Sequence, residues 1–94
     1  MLTLPITKKW YDMILAKIKL EEYRKNTPYY QSRFAKHIGS PLTVRFRNGY
    51  GAGRPTIECE VIPQLRSGGN VEWGADPSTT YFTLEINSVC LISN

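Results

Sequence analysis

The spacing of apolar residues in the first 25 positions changes from alternating to helical and back to extended. Residues 2–6 alternate between apolar and other side chains and end at a turn, which predicts a short strand. Residues 8–17 carry apolar side chains at three- and four-residue spacing, which predicts a helix with Thr7 as its N-cap. The stripe that this helix should bury consists of Trp10, Met13, Ile14 and Ile18. Residues 20–25 then form a short extended segment that leads away from the helix.

A second helical pattern and a long β-like region make up the rest of the chain. Residues 29–38 are predicted to be helical, because Thr27 can cap the helix and Pro28 suits its first turn. The apolar face of this helix would hold Tyr30, Phe34 and Ile38. Gly39-Ser40-Pro41 breaks the pattern, and three strands are predicted after it: residues 42–47, 56–65 and 80–91.

The order of these elements indicates an α+β fold. A strand, a helix, a short strand and a second helix precede a run of antiparallel strands that are separated by glycine-rich loops. This order predicts a curved sheet or small barrel closed by helices. The chain of 94 residues has no repeat and no linker, so residues 1–94 are predicted to form one domain.

Composition narrows the class of protein without identifying a function. A hydrophobic fraction of 41% and a charged fraction of 21% are typical of a folded globular chain. No segment approaches the ~18 apolar residues that a membrane span requires, so we expect no membrane as partner. The first residues lack the basic and apolar segments of a signal peptide, and we therefore expect a cytoplasmic location.

The two cysteines and the single histidine do not indicate metal binding. Cys59 and Cys90 have no neighbouring Cys or His at metal-ligand spacing, and both lie among β-prone residues. We predict that both thiols are buried and act as small hydrophobic side chains. His37 lies near a helix end, where a surface role is expected. The sequence therefore predicts neither a metal site nor a cofactor.

Charge is distributed unevenly along the chain, although the net charge is only +4. Residues 1–47 hold ten of the twelve Lys and Arg residues and three acids, which makes that half +7. The second half is −3, because it holds two arginines and five acids. This asymmetry favours a polyanionic partner for one face of the protein. Charge alone equally allows a basic surface that is merely solvated.

Three charged residues stand close together just after the first predicted helix: Lys19, Glu22 and Arg24. In an extended segment Glu22 and Arg24 point to the same side, whereas Tyr23 points to the other side and is expected in the core with Leu20. Such a group can hold a phosphate, bond the edge of a base, or adjust a lysine for acid–base chemistry. A solvated cluster of salt bridges is the alternative.

A second wall of the same site is predicted on the strand and loop that follow the second helix. Arg45 and Arg47 share one strand face, and Asn48 and Tyr50 come directly after them. Tyr50 and Trp73 could stack on unpaired bases, which is how proteins commonly hold single-stranded RNA. For Trp73, anchoring a loop or filling the core remains an alternative.

The segment 4–15 followed by Lys19-x-x-Glu22-x-Arg24 resembles the ASCH domain, a member of the PUA-like superfamily. The signature of that family is Gly-x-Lys-x-x-Glu-x-Arg, and Lys17 stands here in place of the glycine. The resemblance extends over nearly the whole chain, through Tyr29-Tyr30-x-Ser32-Arg33, Phe46-Arg47-Asn48-Gly49-Tyr50, Glu72-Trp73-Gly74 and the late strand at Tyr81.

The resemblance implies a PUA-like small β-barrel of about five or six strands with two flanking α-helices. It also implies an RNA-binding cleft beside the signature. Some relatives are similar to amidohydrolases that deacylate N4-acetylcytidine with a lysine, a threonine and a later glutamate. The lysine corresponds to Lys19, but the threonine position is Glu22, and a carboxylate cannot replace a hydroxyl nucleophile in the same acyl transfer. Other relatives have been described as ribonucleases.

The function predicted from the sequence is binding of RNA or a modified nucleoside. The ligand-binding residues would be Lys17, Lys19, Glu22, Arg24, Arg45, Arg47, Asn48, Tyr50 and Trp73. The alternative is a small hydrolase acting on N4-acylated cytidine or RNA, with Lys19, Glu22 and Arg24 as catalytic residues. A protein partner on the basic face is a third possibility.

The replacement of the family's glycine by Lys17 has two expected consequences. If the glycine has a positive φ, lysine at this position costs about 1 kcal/mol, unless the helix simply runs one turn further. In either case Lys17 adds a cation beside the expected cleft.

Overall fold

Five strands and two helices follow one another in an α+β arrangement, and the computed structural model describes all residues from 1 to 94. The elements are β1 (Leu2–Ile6), α1 (Lys8–Leu15), β2 (Glu21–Lys25), α2 (Pro28–Phe34), β3 (Leu42–Asn48), β4 (Thr56–Arg66) and β5 (Tyr81–Ser93). Two short 3₁₀ turns complete them, Ala35–His37 and Val71–Trp73. No helix combines the length and apolar character that crossing a bilayer requires.

The five strands form one curled mixed sheet in the order β1-β3-β4-β5-β2. Strand β1 runs parallel to β3, and all other neighbours are antiparallel. The ladder between β4 and β5 shifts register at two points, after Thr56 and after Glu60, and such irregularities bend a sheet. Because the sheet curls, its two edge strands, β1 and β2, come to lie beside one seam.

The core fills the inner side of the curled sheet, and the helices cover it. Alternate residues of each strand point inward, as a period of two requires. Strands and helices together supply a single apolar cluster: Leu4, Ile6, Tyr11, Ile14, Phe34, Val44, Phe46, Ile57, Cys59, Val61, Phe82 and Leu84.

The first helix ends two residues earlier than the apolar spacing predicted, at Leu15. The N–H of Lys17 bonds to the carbonyl of Ile14, and the N–H of Ile18 bonds to that of Met13 at 2.9 Å. These two bonds form a Schellman motif, in which Lys17 occupies the left-handed position with a φ of 61°. Ile18 is consequently turned outward and is 59% exposed, so its predicted burial was wrong.

The second helix has the predicted start but a shorter body. The hydroxyl of Thr27 accepts a bond from the N–H of Tyr30 at 3.3 Å, and Pro28 occupies the first turn. The regular helix ends at Phe34, and the chain continues as a 3₁₀ turn that leaves Ile38 exposed.

The two cysteines differ in environment, although they lie in neighbouring strands. Cys59 is buried on the inner side of β4, as predicted. Cys90 is exposed, so its predicted burial was wrong. The register pairs Cys90 with Glu58, a residue on the outer side of β4, and this pairing carries the thiol outward.

Candidate functional site

A cleft of about 390 Å³ opens at the seam between β1 and β2. We call it the β1–β2 cleft. Its lining comes from the end of β1 (5–7), from β2 (22–25), and from Trp10, Thr27 and Tyr30. The volume lies in the range of small-molecule sites, which is about 300–1,000 Å³. Helices α1 and α2 each contribute one aromatic side chain to its walls.

Lys19, Glu22 and Arg24 form one chain of ion pairs at this cleft. The ammonium of Lys19 lies 3.3 Å from one carboxylate oxygen of Glu22, and the guanidinium of Arg24 lies 2.8 Å from the other. Glu22 and Arg24 pair with the buried Leu84 and Phe82 across the β2–β5 ladder, so both point to the inner side. Glu22 is 6% exposed. The cluster is therefore not a solvated network of salt bridges.

Lys19 lies behind the cleft instead of lining it. It is 1% exposed, and its ammonium donates to the carbonyl of Trp73 at 2.6 Å. The same ammonium lies 4.8 Å from the ring centroid of Trp10 and 5.0 Å from that of Tyr23, which is within range of cation–π attraction. Burial lowers the pKa of Lys19, and the neighbouring Glu22 opposes that shift.

The turn after α1 explains why a lysine is buried here and a leucine is not. The left-handed Lys17 reverses the chain, so that Lys19 enters the interior and the next residue, Leu20, faces outward. Leu20 is 49% exposed, and its predicted place in the core was wrong. The local geometry of the turn overrides the side-chain preference at both positions.

Arg24, on edge strand β2, forms hydrogen bonds with the other edge strand, β1, and with helix α2. One terminal nitrogen donates to the carbonyl of Pro5 on β1 at 2.9 Å, and the other donates to the hydroxyl of Tyr30 at 3.1 Å. The Nε–H group of Arg24 is buried and has no partner. Because most of its donors are used within the protein, Arg24 organises the cleft as well as contributing charge to it.

Three aromatic residues line the cleft, and two of them were expected in the core. Trp10 and Tyr23 are half-buried, and both line the cleft together with Tyr30. The hydroxyl of Tyr23 donates to Glu21 at 2.6 Å and accepts from the N–H of Asn70 at 2.8 Å. Burial, together with the bond to Glu21, raises the pKa of Tyr23 to about 12.

The loop between β4 and β5 packs against the back of these aromatic walls. A Cβ atom at Gly69 would lie 2.8 Å from the ring of Tyr23, and one at Gly74 would lie 3.0 Å from the ring of Trp10. Gly74 also has a φ of 98°, which favours glycine for a second reason. The two glycines thus let the loop backbone fix the orientation of both rings.

Two cations at the cleft have no acidic partner. Lys25 lines the cleft, and Lys9 lies over the ring of Trp10, 4.6 Å from its centroid. Sequence reasoning missed both of them, as it missed Thr27 and Tyr30. For Lys25 a signal was present, since it directly follows the signature arginine at the end of an edge strand.

The second wall predicted from the sequence lies elsewhere on the molecule. Arg45 and Arg47 alternate with the buried Val44 and Phe46, so they point to the outer side of β3, and Arg45 is paired with Glu58. Asn48 is buried at the end of the same strand. Strand alternation directs the two arginines away from the inner side, where Glu22 and Arg24 lie.

Three further predicted residues do not line the cleft. Tyr50 lines a smaller cavity of about 170 Å³ that shares Pro5, Ile6 and Thr7 with the cleft. Lys17 lies at a separate cavity of about 90 Å³, beside Leu20 and β5. Trp73 contributes its backbone carbonyl, through which it holds Lys19.

Comparison with known proteins adds no relative to this description. No protein-family model, curated protein or solved structure matches the chain. The resemblance to the ASCH domain stays a prediction from the sequence. Of its signature residues, Glu22 and Arg24 line the cleft and Lys19 supports it.

Proposed function

We propose that this chain is an ASCH-like domain of the PUA-like type and that it binds RNA or a modified nucleoside in the β1–β2 cleft. The observation that carries the proposal is the buried carboxylate of Glu22, held between two cations in a cleft walled by aromatic rings. A cytoplasmic location, expected from the sequence, is part of the same proposal.

Glu22 retains the capacity to bond a ligand. A carboxylate offers about four lone-pair positions, and the pairs with Lys19 and Arg24 engage only one contact on each oxygen. A carboxylate of this kind suits the amino or imino N–H groups on the edge of a nucleobase.

The aromatic walls and the free cations suit the other parts of a nucleotide. Trp10, Tyr23 and Tyr30 line the cleft, and stacking of one base on an aromatic ring contributes about 1–3 kcal/mol. Lys9 and Lys25, which have no acidic partner, can contact a sugar or a phosphate at the rim. Recognition would thus combine stacking, one acceptor and a positive rim, as in single-stranded RNA binding.

Geometry favours binding over the hydrolysis considered as the alternative. A catalytic Lys19 would have to reach the substrate, but its ammonium is buried and is bonded to Glu22 and to the Trp73 carbonyl. Glu22 and Arg24 are likewise engaged with each other. Lys19 therefore supports the site from behind, Glu22 keeps lone pairs for a bound base, and hydrolysis remains only a prediction from the family resemblance.

Replacing Glu22 with glutamine tests the proposal, since Glu22→Gln keeps the shape and removes the charged acceptor. We expect affinity for nucleosides or short single-stranded RNA to fall about tenfold or more, because a bond to a charged group is worth about 1.5–3 kcal/mol. Isothermal titration calorimetry with unmodified and N4-acylated nucleosides measures this directly. The N4-acylated set, followed by chromatography, also reports any turnover.

A matched control is Glu58→Gln, which alters an ion pair on the outer side of the sheet and should leave binding unchanged. If Glu22→Gln does not fold, Lys25→Ala addresses the same cleft without touching a buried group. Folded cleft variants that bind the whole panel as tightly as the parent would refute the proposed site.

A further inference from the structure

A second concave surface lies beside helix α2, away from the β1–β2 cleft. It has a volume of about 380 Å³, close to that of the cleft, and the two share no lining residue. We call it the α2 groove. Ser32, Arg33, Lys36 and His37 line it from the helical side, and Leu42 and Thr43 line it from β3.

The two cations of this groove are not paired with acids. Neither Arg33 nor Lys36 forms an ion pair. The whole segment from Tyr23 to Ile57 contains seven Lys and Arg residues and no Asp or Glu. The register does place the exposed Glu60 opposite Thr43, so an acid stands at the sheet side of the groove. The helical side carries the positive potential.

The guanidinium of Arg33 is oriented by its neighbours but retains free donors. Its central carbon lies 4.1 Å from the ring centroid of Tyr29, and one terminal nitrogen donates to the hydroxyl of Ser32 at 2.7 Å. An arginine has five N–H donors, so most of them remain available to a phosphate. Stacking of this kind reduces the entropy lost when the side chain binds a ligand.

Exposed aromatic residues connect the α2 groove to the cleft. Tyr30, at the cleft wall, meets the ring of Tyr29 edge to face at 5.0 Å, and Tyr29 in turn carries Arg33. From residue 30 to residue 34 the helix advances about 6 Å at a rise of 1.5 Å per residue, and the 3₁₀ turn to residue 36 adds about 4 Å at about 2.0 Å per residue. A short single strand that enters the cleft can therefore continue along α2 to Lys36.

We propose that the α2 groove binds the phosphates of a single-stranded RNA whose base occupies the β1–β2 cleft. Arg33 and Lys36 contact the phosphates, and Tyr29 offers a stacking surface between the two sites. This inference rests on the proposed function, and it adds the path of the strand and a set of residues outside the signature. It also gives a specific role, at the α2 groove, to two of the basic residues that make residues 1–47 positively charged.

The test compares a groove variant with a charge-matched control. The variant is Arg33→Ala with Lys36→Ala, and the control is Lys8→Glu, which changes the net charge by the same two units at an exposed position outside both the cleft and the groove. The probes are single-stranded RNA of about ten nucleotides, within the usual footprint of such sites, and single nucleosides. Binding is measured over a series of salt concentrations, and circular dichroism checks folding.

The groove variant should bind the oligonucleotide about tenfold or more weakly than the control. Its slope of log affinity against log salt should be shallower by about 1.4, the value for two phosphate contacts on a single strand. Nucleoside binding should be unchanged, because the cleft is intact. If the double variant does not fold, Lys36→Gln alone should lower the slope by about 0.7.

Each contrary result identifies which proposal fails. Equal oligonucleotide affinity and salt slope in the variant and the control would refute the groove, while a loss in Glu22→Gln would still support the cleft. Oligonucleotide binding that depends on Arg33 and Lys36 but not on Glu22 would retain the groove and reject the cleft. Binding of poly-glutamate as tight as that of RNA would make an acidic protein the partner and overturn the inference.

Discussion

Lys19 shows how one buried charge can organise a site without contacting a ligand. Its ammonium donates to Glu22 and to the Trp73 carbonyl, and two aromatic rings enclose it. These contacts connect β2, α1 and the loop between β4 and β5. Burying an ion pair costs desolvation free energy, so such a pair is more readily understood as fixing one geometry than as adding stability.

Removing this ammonium should therefore make the protein less stable. We expect Lys19→Met to lower the free energy of unfolding by about 3 kcal/mol, because Glu22 stays buried with only Arg24 as a partner. Urea denaturation followed by circular dichroism measures the change. Lys8→Met, which alters an exposed pair with Asp12, is the control and should change stability by less than about 1 kcal/mol.

A double-mutant cycle separates the pair from the packing around it. Combining Lys19→Met with Glu22→Gln should cost less than the sum of the two single changes, because the second change removes the buried carboxylate that the first leaves without its lysine. A strictly additive result would show that the two side chains act independently.

At the level of elements, the end of α1 determines which side of the chain faces inward. The Schellman motif places Lys17 at a left-handed position, where most helices of this type have glycine or asparagine. The turn keeps its shape with a lysine because two backbone bonds hold it.

The strain of the left-handed Lys17 can be relieved by a single substitution. We expect Lys17→Gly to raise the free energy of unfolding by about 1 kcal/mol, since glycine adopts a positive φ without a Cβ clash. The control is Ala16→Gly, one residue earlier, where φ is −77° and glycine offers no such relief. Chemical denaturation compares the two. A Lys17→Gly protein that is no more stable than the parent would contradict the left-handed turn.

At the level of the whole molecule, the curled sheet brings its two edge strands together and creates the cleft. The edges are joined by the side chain of Arg24, which reaches the carbonyl of Pro5. Titratable groups that are buried by this fold have pKa values that differ between the folded and the unfolded protein. Cys59 lies in the core, and burial raises the pKa of its thiol from 9.0 to about 12. Burial likewise raises the pKa of the Tyr23 hydroxyl from 10.0 to about 12.

These shifts predict a loss of stability at alkaline pH. Both groups keep their protons in the folded state after the unfolded chain has released them, so stability is complete below pH 9 and falls as pH rises toward 12. Denaturation midpoints measured between about pH 8 and 11 should show this decline. In Cys59→Val it should begin only near pH 10, where Tyr23 starts to contribute, whereas Cys90→Val should behave as the parent. Identical profiles for both variants would contradict the burial of Cys59.

Local patterns predicted the elements well and the cleft only in part. The order of strands and helices, the Thr27 cap and the inward face of β4 all follow from spacing and local bonding. The convergence of Glu22 and Arg24 also follows, because residues two apart in a strand share a face. Tyr23 and Trp10 were assigned to the core, since apolar spacing cannot distinguish a buried ring from one that lines a cleft.

The sequence by itself determined the α+β class, the charge asymmetry and the signature at Lys19, Glu22 and Arg24, because these depend on neighbouring residues and local periodicity. Only the tertiary structure decided that Lys19 is enclosed behind the cleft, that Arg45 and Arg47 lie away from the cleft, and that a second basic groove lies beside α2. The reason is physical. The left-handed residue Lys17 and the curl of the whole sheet determine which side chains meet. The spacing of the residues along the chain shows neither of these two features.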